Sequence, residues 1–175
     1  MYNFSKKLIF ILAIFFTFHS NLNSDVPYFV DFKYILNESS AGKKAQTFLK
    51  KKLNDGIERI KKKEKSIQEE EKKIIQQKKV ISAEEYKKKV TELRSKVLSI
   101  QKEKNKLLED ISKQRAKAKQ VLLKNLNPIL TDYMKEKKIR MVMDKKSLLI
   151  GDENLDITQE IIKKLNSKLK SIKLN

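Results

Sequence analysis

Residues 57–127 contain neither glycine nor proline and are written almost entirely in Lys, Glu, Gln, Ile and Leu. Nothing in that stretch ends a helix and little in it favours a strand, so it specifies long α-helix. A compact single core cannot enclose such a helix. Hydrophobic residues make up 39% of the 175-residue chain and charged residues 36%, so much of it must stay in water. The expected class is α+β and mostly α.

The apolar pattern within the run changes phase once. Leu53, Ile57, Ile60, Ile67, Ile74 and Ile81 follow alternating steps of four and three, with Glu64, Glu71 and Lys78 completing the heptad seam. The same register would next place Glu85 and Lys88 in the seam. The apolar series instead resumes at Tyr86, Val90, Leu93, Val97, Ile100, Leu107 and Ile111. At that jump Ser82 and Glu85 form a capping-box pattern, and Ile81 and Tyr86 occupy the two places of a hydrophobic staple. A new helix is therefore expected at Ser82, with a hairpin tip near residues 79–85 and arms spanning residues 43–137. Antiparallel partners should then have numbers of constant sum. Ile60 with Leu107, Ile67 with Ile100, Ile74 with Leu93, and Ile81 with Tyr86 all sum to 167. The alternative is one uninterrupted helix in a parallel coiled coil that carries a skip in its heptads.

About 40 residues per arm at ~1.5 Å each give arms of roughly 60 Å. Each heptad offers about one good aliphatic per strand, worth ~1.5–3 kcal/mol, against ~1–2 kcal/mol of backbone entropy per ordered residue. Supporting i,i+4 pairs are expected at Glu58–Lys62, Glu69–Lys73, Glu84–Lys88, Glu85–Lys89, Glu92–Lys96 and Glu109–Lys113, with Glu64–Lys104 bridging the arms. Gly56 is the expected point of bending. Pro128 predicts a kink or break near Leu126.

The two ends differ from the arms. Lys6 and Lys7 precede the apolar residues 8–18, a pattern that reads as a secretory signal peptide over residues 1–24. Its apolar run is shorter than the about 20 residues that a membrane-spanning anchor, the alternative reading, requires. Residues 25–42 and 138–175 form the expected body. A strand is predicted over residues 26–32, with Pro27 at its start or on an edge. A helical turn ending at Gly42, strands at residues 139–143 and 148–150, and a last helix follow. Asp156 and Gln159 resemble a capping box for that helix, whose apolar stripe is Ile157, Ile161, Ile162, Leu165, Leu169 and Ile172. So small a body is marginal alone, and strands from several subunits closing into one barrel would remedy it. Val30, Phe32, Ile139, Met141, Met143, Leu148 and Ile150 are the candidate oligomer core.

Composition narrows the chemistry. Without residues 1–24 the chain has no His and no Cys, which excludes imidazole and thiol catalysis and the usual zinc sites. No cofactor or metal is expected. The Gly-Lys of residues 41–45 lacks the glycine that a phosphate-binding loop needs five positions earlier, where Asn37 stands. Residues 43–137 hold 29 basic and 14 acidic residues, a surplus of 15 out of 17 for the chain after residue 24. Lysine that only keeps helices soluble does not require such a surplus. A basic surface that attracts acidic polypeptides or anionic lipid does. Nucleic acid is not an expected partner, since the arms offer only Phe48, Tyr86 and Tyr133 for stacking.

The segments YFVDFKYILNESSAGKKAQ (28–46) and MKEKKIRMVMDKKSLLIGDENLDITQEIIKKL (134–165) resemble the Skp (OmpH-like) family of periplasmic chaperones. The resemblance covers nearly the whole chain after the leader, the arms matching only in character. It implies a homotrimer with a β body and three helical-hairpin tentacles. It also implies a periplasmic holdase that encloses unfolded outer-membrane proteins without ATP, not an enzyme. Two positions depart from the family: Pro27 enters the first strand, and Lys138 stands where members often carry glycine. A left-handed Lys138 would cost ~1–2 kcal/mol. The lipopolysaccharide site proposed in the family does not transfer residue by residue, although anionic lipid or lipopolysaccharide remains a candidate partner.

On that reading Ile75, Leu98 and Leu108, with Lys78, Lys79, Lys87, Lys88 and Lys89 at the tip, are candidate client contacts. A structural coiled-coil spacer of the envelope is the competing function, and it would be favoured by heptads running on through Ser82.

Overall fold

The computed structural model describes residues 26–175, and the leader assigned to residues 1–24 lies outside them. The element order is β1 (Tyr28–Val30), α1 (Phe32–Glu38), α2 (Ser40–Gln77), α3 (Ala83–Lys137), β2 (Val142–Asp144) and α4 (Thr158–Lys168). Two 3-10 turns, Lys145–Ser147 and Glu153–Leu155, lie between β2 and α4.

β1 is shorter than its alternation suggests. The Asp31 carboxylate accepts from the Tyr34 N–H at 2.7 Å, which starts α1 at once and draws Phe32 out of the strand. The break that follows is at Ser39, not Gly42. Ser39 is fully buried, its N–H donates to the Ile35 carbonyl, and its hydroxyl accepts from the Gly42 N–H at 3.2 Å. Gly42 lies inside α2, and only glycine fits there, since a Cβ would come within 1.9 Å of the Leu36 carbonyl oxygen. That close approach packs α1 against the foot of the arm.

β1 and β2 pair in parallel, Phe29 opposite Met143, and Phe29 makes a further parallel bridge to Asp156. The whole arm is thus an insertion between two adjacent parallel strands. No strand forms at residues 148–150. Asp144 caps the 3-10 turn through the Lys146 N–H, the Leu148 N–H closes it onto Lys145, and the chain turns away from β2.

The core gathers Val30, Ile35, Leu122, Leu126, Leu130, Ile161 and Leu165 between α1, the foot of α3 and α4. Pro128 leaves α3 unbroken. It lies on the exposed face, where water can take the released Lys124 carbonyl, while Leu126, Ile129 and Leu130 hold the opposite face in the core. α3 ends at Lys138, which is left-handed at φ 56°. The Ile139 N–H reaches the Met134 carbonyl at 2.8 Å and the Lys138 N–H reaches Lys135, a Schellman closure formed without glycine.

α4 starts without the expected capping box. Asp156 accepts from the Thr158 N–H at 3.0 Å and from its hydroxyl, and Gln159 takes no part. Leu169 and Ile172 pack on the core from beyond the helix end.

Candidate functional site

The tip is built by residues 78–82. The Val80 and Ile81 N–H groups both donate to the Gln77 carbonyl, ending α2, and the Ser82 hydroxyl accepts from the Glu85 N–H at 3.1 Å, starting α3. Only half of the box forms, since the Glu85 carboxylate lies 3.9 Å from Lys89. Ile81 and Tyr86 are both half-buried there. Lys78 sits 5.7 Å from the Tyr86 ring centroid and Lys89 donates to Gln77 Oε1, so two of the five tip lysines brace the turn. Lys79, Lys87 and Lys88 are exposed and make no ion pair among the described residues.

Along the arms, Ile60 and Ile74 are buried, while Ile67, Leu93, Ile100 and Leu107 are half-buried. Inter-arm partners run Lys63 to Glu103 at 2.5 Å, Lys96 to Glu70 at 2.7 Å and Lys89 to Gln77 at 2.8 Å; each pair of residue numbers sums to 166, the constant sum of an antiparallel pair. Of the six expected i,i+4 pairs, only Glu85–Lys89 and Glu109–Lys113 form among the described residues. Glu64–Lys104 is also absent from their ion pairs. Lys96 reaches across to Glu70 instead of back to Glu92, and Arg59 and Lys63 converge on Glu103. The hydrogen bond from Lys63 holds the Glu103 carboxyl below its ordinary value, as Lys113 does for Glu109. Gly56 is a packing site: it is buried, and a Cβ there would come within 2.6 Å of Leu107 Cδ2.

Two hollows open along the arm, the distal one between α2 and α3 and the basal one where α1 meets them. The distal one, about 570 Å³, brings together Ile75, Leu98, Val97, Tyr86, Glu71 and Arg94. Ile75 and Leu98 are 58% and 63% exposed there, so two of the expected client contacts share one face. Leu108 is exposed but outside that hollow. The basal one, about 790 Å³, has a floor that includes Ala45, Leu49, Ala118 and Leu122 and a rim that includes Lys43, Lys50, Arg115 and Lys119. Sequence reasoning missed it. Its signal was there in the small residues of 41–45 facing those of 116–118, where a helical seam normally carries Leu or Ile. At the rim Glu38 lies 2.7 Å from Lys43 and, by its hydrogen bond, raises the affinity of that amine for its proton.

The seven residues expected in an oligomer core divide. Val30 and Ile139 are buried in the core of this single chain, and Phe32, Met143 and Leu148 are half-buried. Met141 and Ile150 are exposed, as are their neighbours Leu149 and Val26. Beneath that patch the body is tied by one polar node. The buried Thr158 hydroxyl accepts from the Asp31 N–H at 2.9 Å and donates to Asp156, whose other oxygen takes Lys145 at 2.7 Å. Burial pushes the Asp156 carboxyl up, but the hydrogen bonds from Lys145 and Thr158 outweigh it, and the net position is below the ordinary value.

Among the described residues no cluster of metal-ligating side chains occurs, and no helix is long and apolar enough to cross a membrane. The arrangement offers two long charged helices with apolar hollows along them.

Comparison with known proteins places this geometry. The model of the family described as "Outer membrane protein (OmpH-like)" matches residues 28–165. An uncharacterized protein of Aquifex aeolicus (strain VF5) is 31% identical over 138 residues, covering 78% of this chain and 83% of that one. The fold is similar to the crystal structure of a candidate outer membrane chaperone (OmpH-like) from Caulobacter crescentus CB15. The TM-score is 0.80 at 16% identity, over 86% of this chain and 90% of the other.

Proposed function

The chain belongs to the OmpH-like family, whose members are chaperones and not enzymes, and on that premise we propose that it is a periplasmic holdase. It captures unfolded outer-membrane proteins between basic helical arms, without ATP, and keeps them from aggregating on the way to the outer membrane. The observation that carries this reading is the arm itself: a reversed pair of helices with a surplus of fifteen positive charges over residues 43–137 and apolar hollows left open between them. A surplus of that size raises the local concentration of acidic polypeptide and weakens with salt. The open hollows then receive apolar side chains that would otherwise self-associate.

One arm cannot enclose a client. The exposed Met141, Leu149 and Ile150 on the body supply a reason to assemble, because association would take these large apolar side chains out of water. A closed homotrimer, its body strands meeting as one barrel, would set three arms around a shared space. The same basic surface favours anionic lipid or lipopolysaccharide as a secondary partner. Heptads running on through Ser82 would have favoured the spacer reading, and the chain instead reverses there.

The test is aggregation of a denatured outer-membrane β-barrel on dilution, followed by light scattering with and without the protein. Suppression at one trimer per client, relieved by salt, is the expected result. No suppression at that ratio, or a monomer by native mass spectrometry, overturns the proposal.

A further inference from the structure

The positive charge of the arm is not spread evenly. Residues 43–52 contain five lysines and no carboxylate, and residues 113–124 contain five cations and no carboxylate. Ten of the fifteen surplus charges therefore lie in two short stretches. The tip, residues 78–89, has five lysines offset by Glu84 and Glu85. The two acid-free stretches face each other at the foot of the arm, across the basal groove.

That groove has an unusual division of chemistry. Its floor is apolar and buried through Ala45, Leu49, Ala118 and Leu122. On its rim Lys43 is neutralised by Glu38, whereas Lys50, Arg115 and Lys119 make no ion pair among the described residues. The distal hollow, by contrast, sets Arg94 beside Glu71 and carries no net preference for either sign.

We propose that the foot of the arm, not its tip, anchors the client: the basal groove takes an extended polypeptide segment whose apolar side chains are flanked by Asp or Glu. This rests on the holdase reading and names the chemistry that it selects. Apolar side chains leave water on the alanine and leucine floor. Neighbouring carboxylates then reach Lys50, Lys119 and the planar fork of Arg115, which can hold a carboxylate by two parallel hydrogen bonds. A basic segment with the same apolar residues meets uncompensated like charge and is rejected. Because the acid-free stretches lie next to the body, an acidic segment is drawn down the arm toward it.

The experiment measures fluorescence anisotropy of the full chain with two labelled peptides, one alternating leucine with aspartate and one alternating leucine with lysine. The acidic peptide binds and the basic one does not. Arg115→Glu with Lys119→Glu weakens the acidic peptide by at least about tenfold, whereas Lys79→Glu with Lys88→Glu at the tip changes it by less than about twofold. Replacing the leucines of the acidic peptide by serine also removes binding. Equal binding of both peptides, an equal loss in the tip variant, or unchanged binding in the basal variant overturns the proposal. So does a fall in oligomeric mass in the basal variant, which would assign the groove to a neighbouring copy. Thermal unfolding of the basal variant stays that of the wild type, its residues being exposed. If the wild type binds the acidic peptide yet fails to suppress barrel aggregation, the holdase reading falls and the groove stands. The reverse result separates them the other way.

Discussion

The body and the arm are made of one chain but held by different physics. In the body, Val30, Ile35, Leu126, Ile161 and Leu165 are fully buried, contributed by elements more than a hundred residues apart in sequence. Along the arm beyond Gly56, only Ile60 and Ile74 of α2 are buried, and ion pairs between exposed side chains join the helices. The body is therefore a cooperative unit, whereas the arm is two helices of strong intrinsic propensity with a thin seam. Few contacts along that thin seam resist splaying of the two helices.

The largest expected effect breaks or keeps this contrast directly. Leu126→Ala, in a fully buried site, lowers the free energy of unfolding by about 2–5 kcal/mol in chemical denaturation. Ile67→Ala, half-buried in the arm, costs clearly less, and its loss shows as faster amide exchange in the arm alone. Equal costs would show that arm and body form one cooperative unit.

Glycine sharpens the comparison next. Alanine is favoured over glycine in a helix by about 1 kcal/mol, and both Gly42 and Gly56 are helical. Gly42→Ala nonetheless destabilises, because its Cβ meets the rigid Leu36 carbonyl, and the net change is about 1–3 kcal/mol in melting experiments. Gly56→Ala is near neutral, since the Leu107 side chain that crowds it can rotate away. Lys138→Gly, at the joint where the arm re-enters the body, stabilises by about 1 kcal/mol by removing the left-handed strain.

A smaller effect separates the two regions by pH. Asp156 is held below the ordinary carboxylate value in the folded body. Its contribution is complete above the unfolded value, near pH ~4, and is lost as the pH falls through the folded value. The thermal midpoint should drop below pH ~4 and the drop should flatten in Asp156→Asn. An unchanged acid limb in that variant would remove the node from the account of the body. The smallest effect is expected from Lys96→Gln, which opens an exposed inter-arm pair and should be invisible once salt screens it.

Local signals carried the arm. Heptad phase, the Ser82 cap and the Ile81–Tyr86 pair are all written within a few residues of the turn that they make, so the reversal was legible. Failures came where distant groups decide. The i,i+4 pairs gave way to inter-arm pairs because an antiparallel neighbour offers Lys96 and Lys63 a second carboxylate. Pro128 does not break α3, because the core on the far face outweighs the lost hydrogen bond. The basal groove was hidden because small residues read as weak seam positions until α2 and α3 are set side by side.

The sequence alone determined that this chain makes a long basic hairpin with a small mixed body at its foot, because helix propensity, capping and charge are properties of neighbours in the chain. Only the tertiary structure decided that β1 and β2 pair in parallel across the whole arm, that Val30 and Ile139 are buried inside the chain's own core while Met141 and Ile150 are exposed, and that the charge gathers around an apolar groove. Those outcomes depend on which surfaces meet, and residues that meet here are separated by most of the chain.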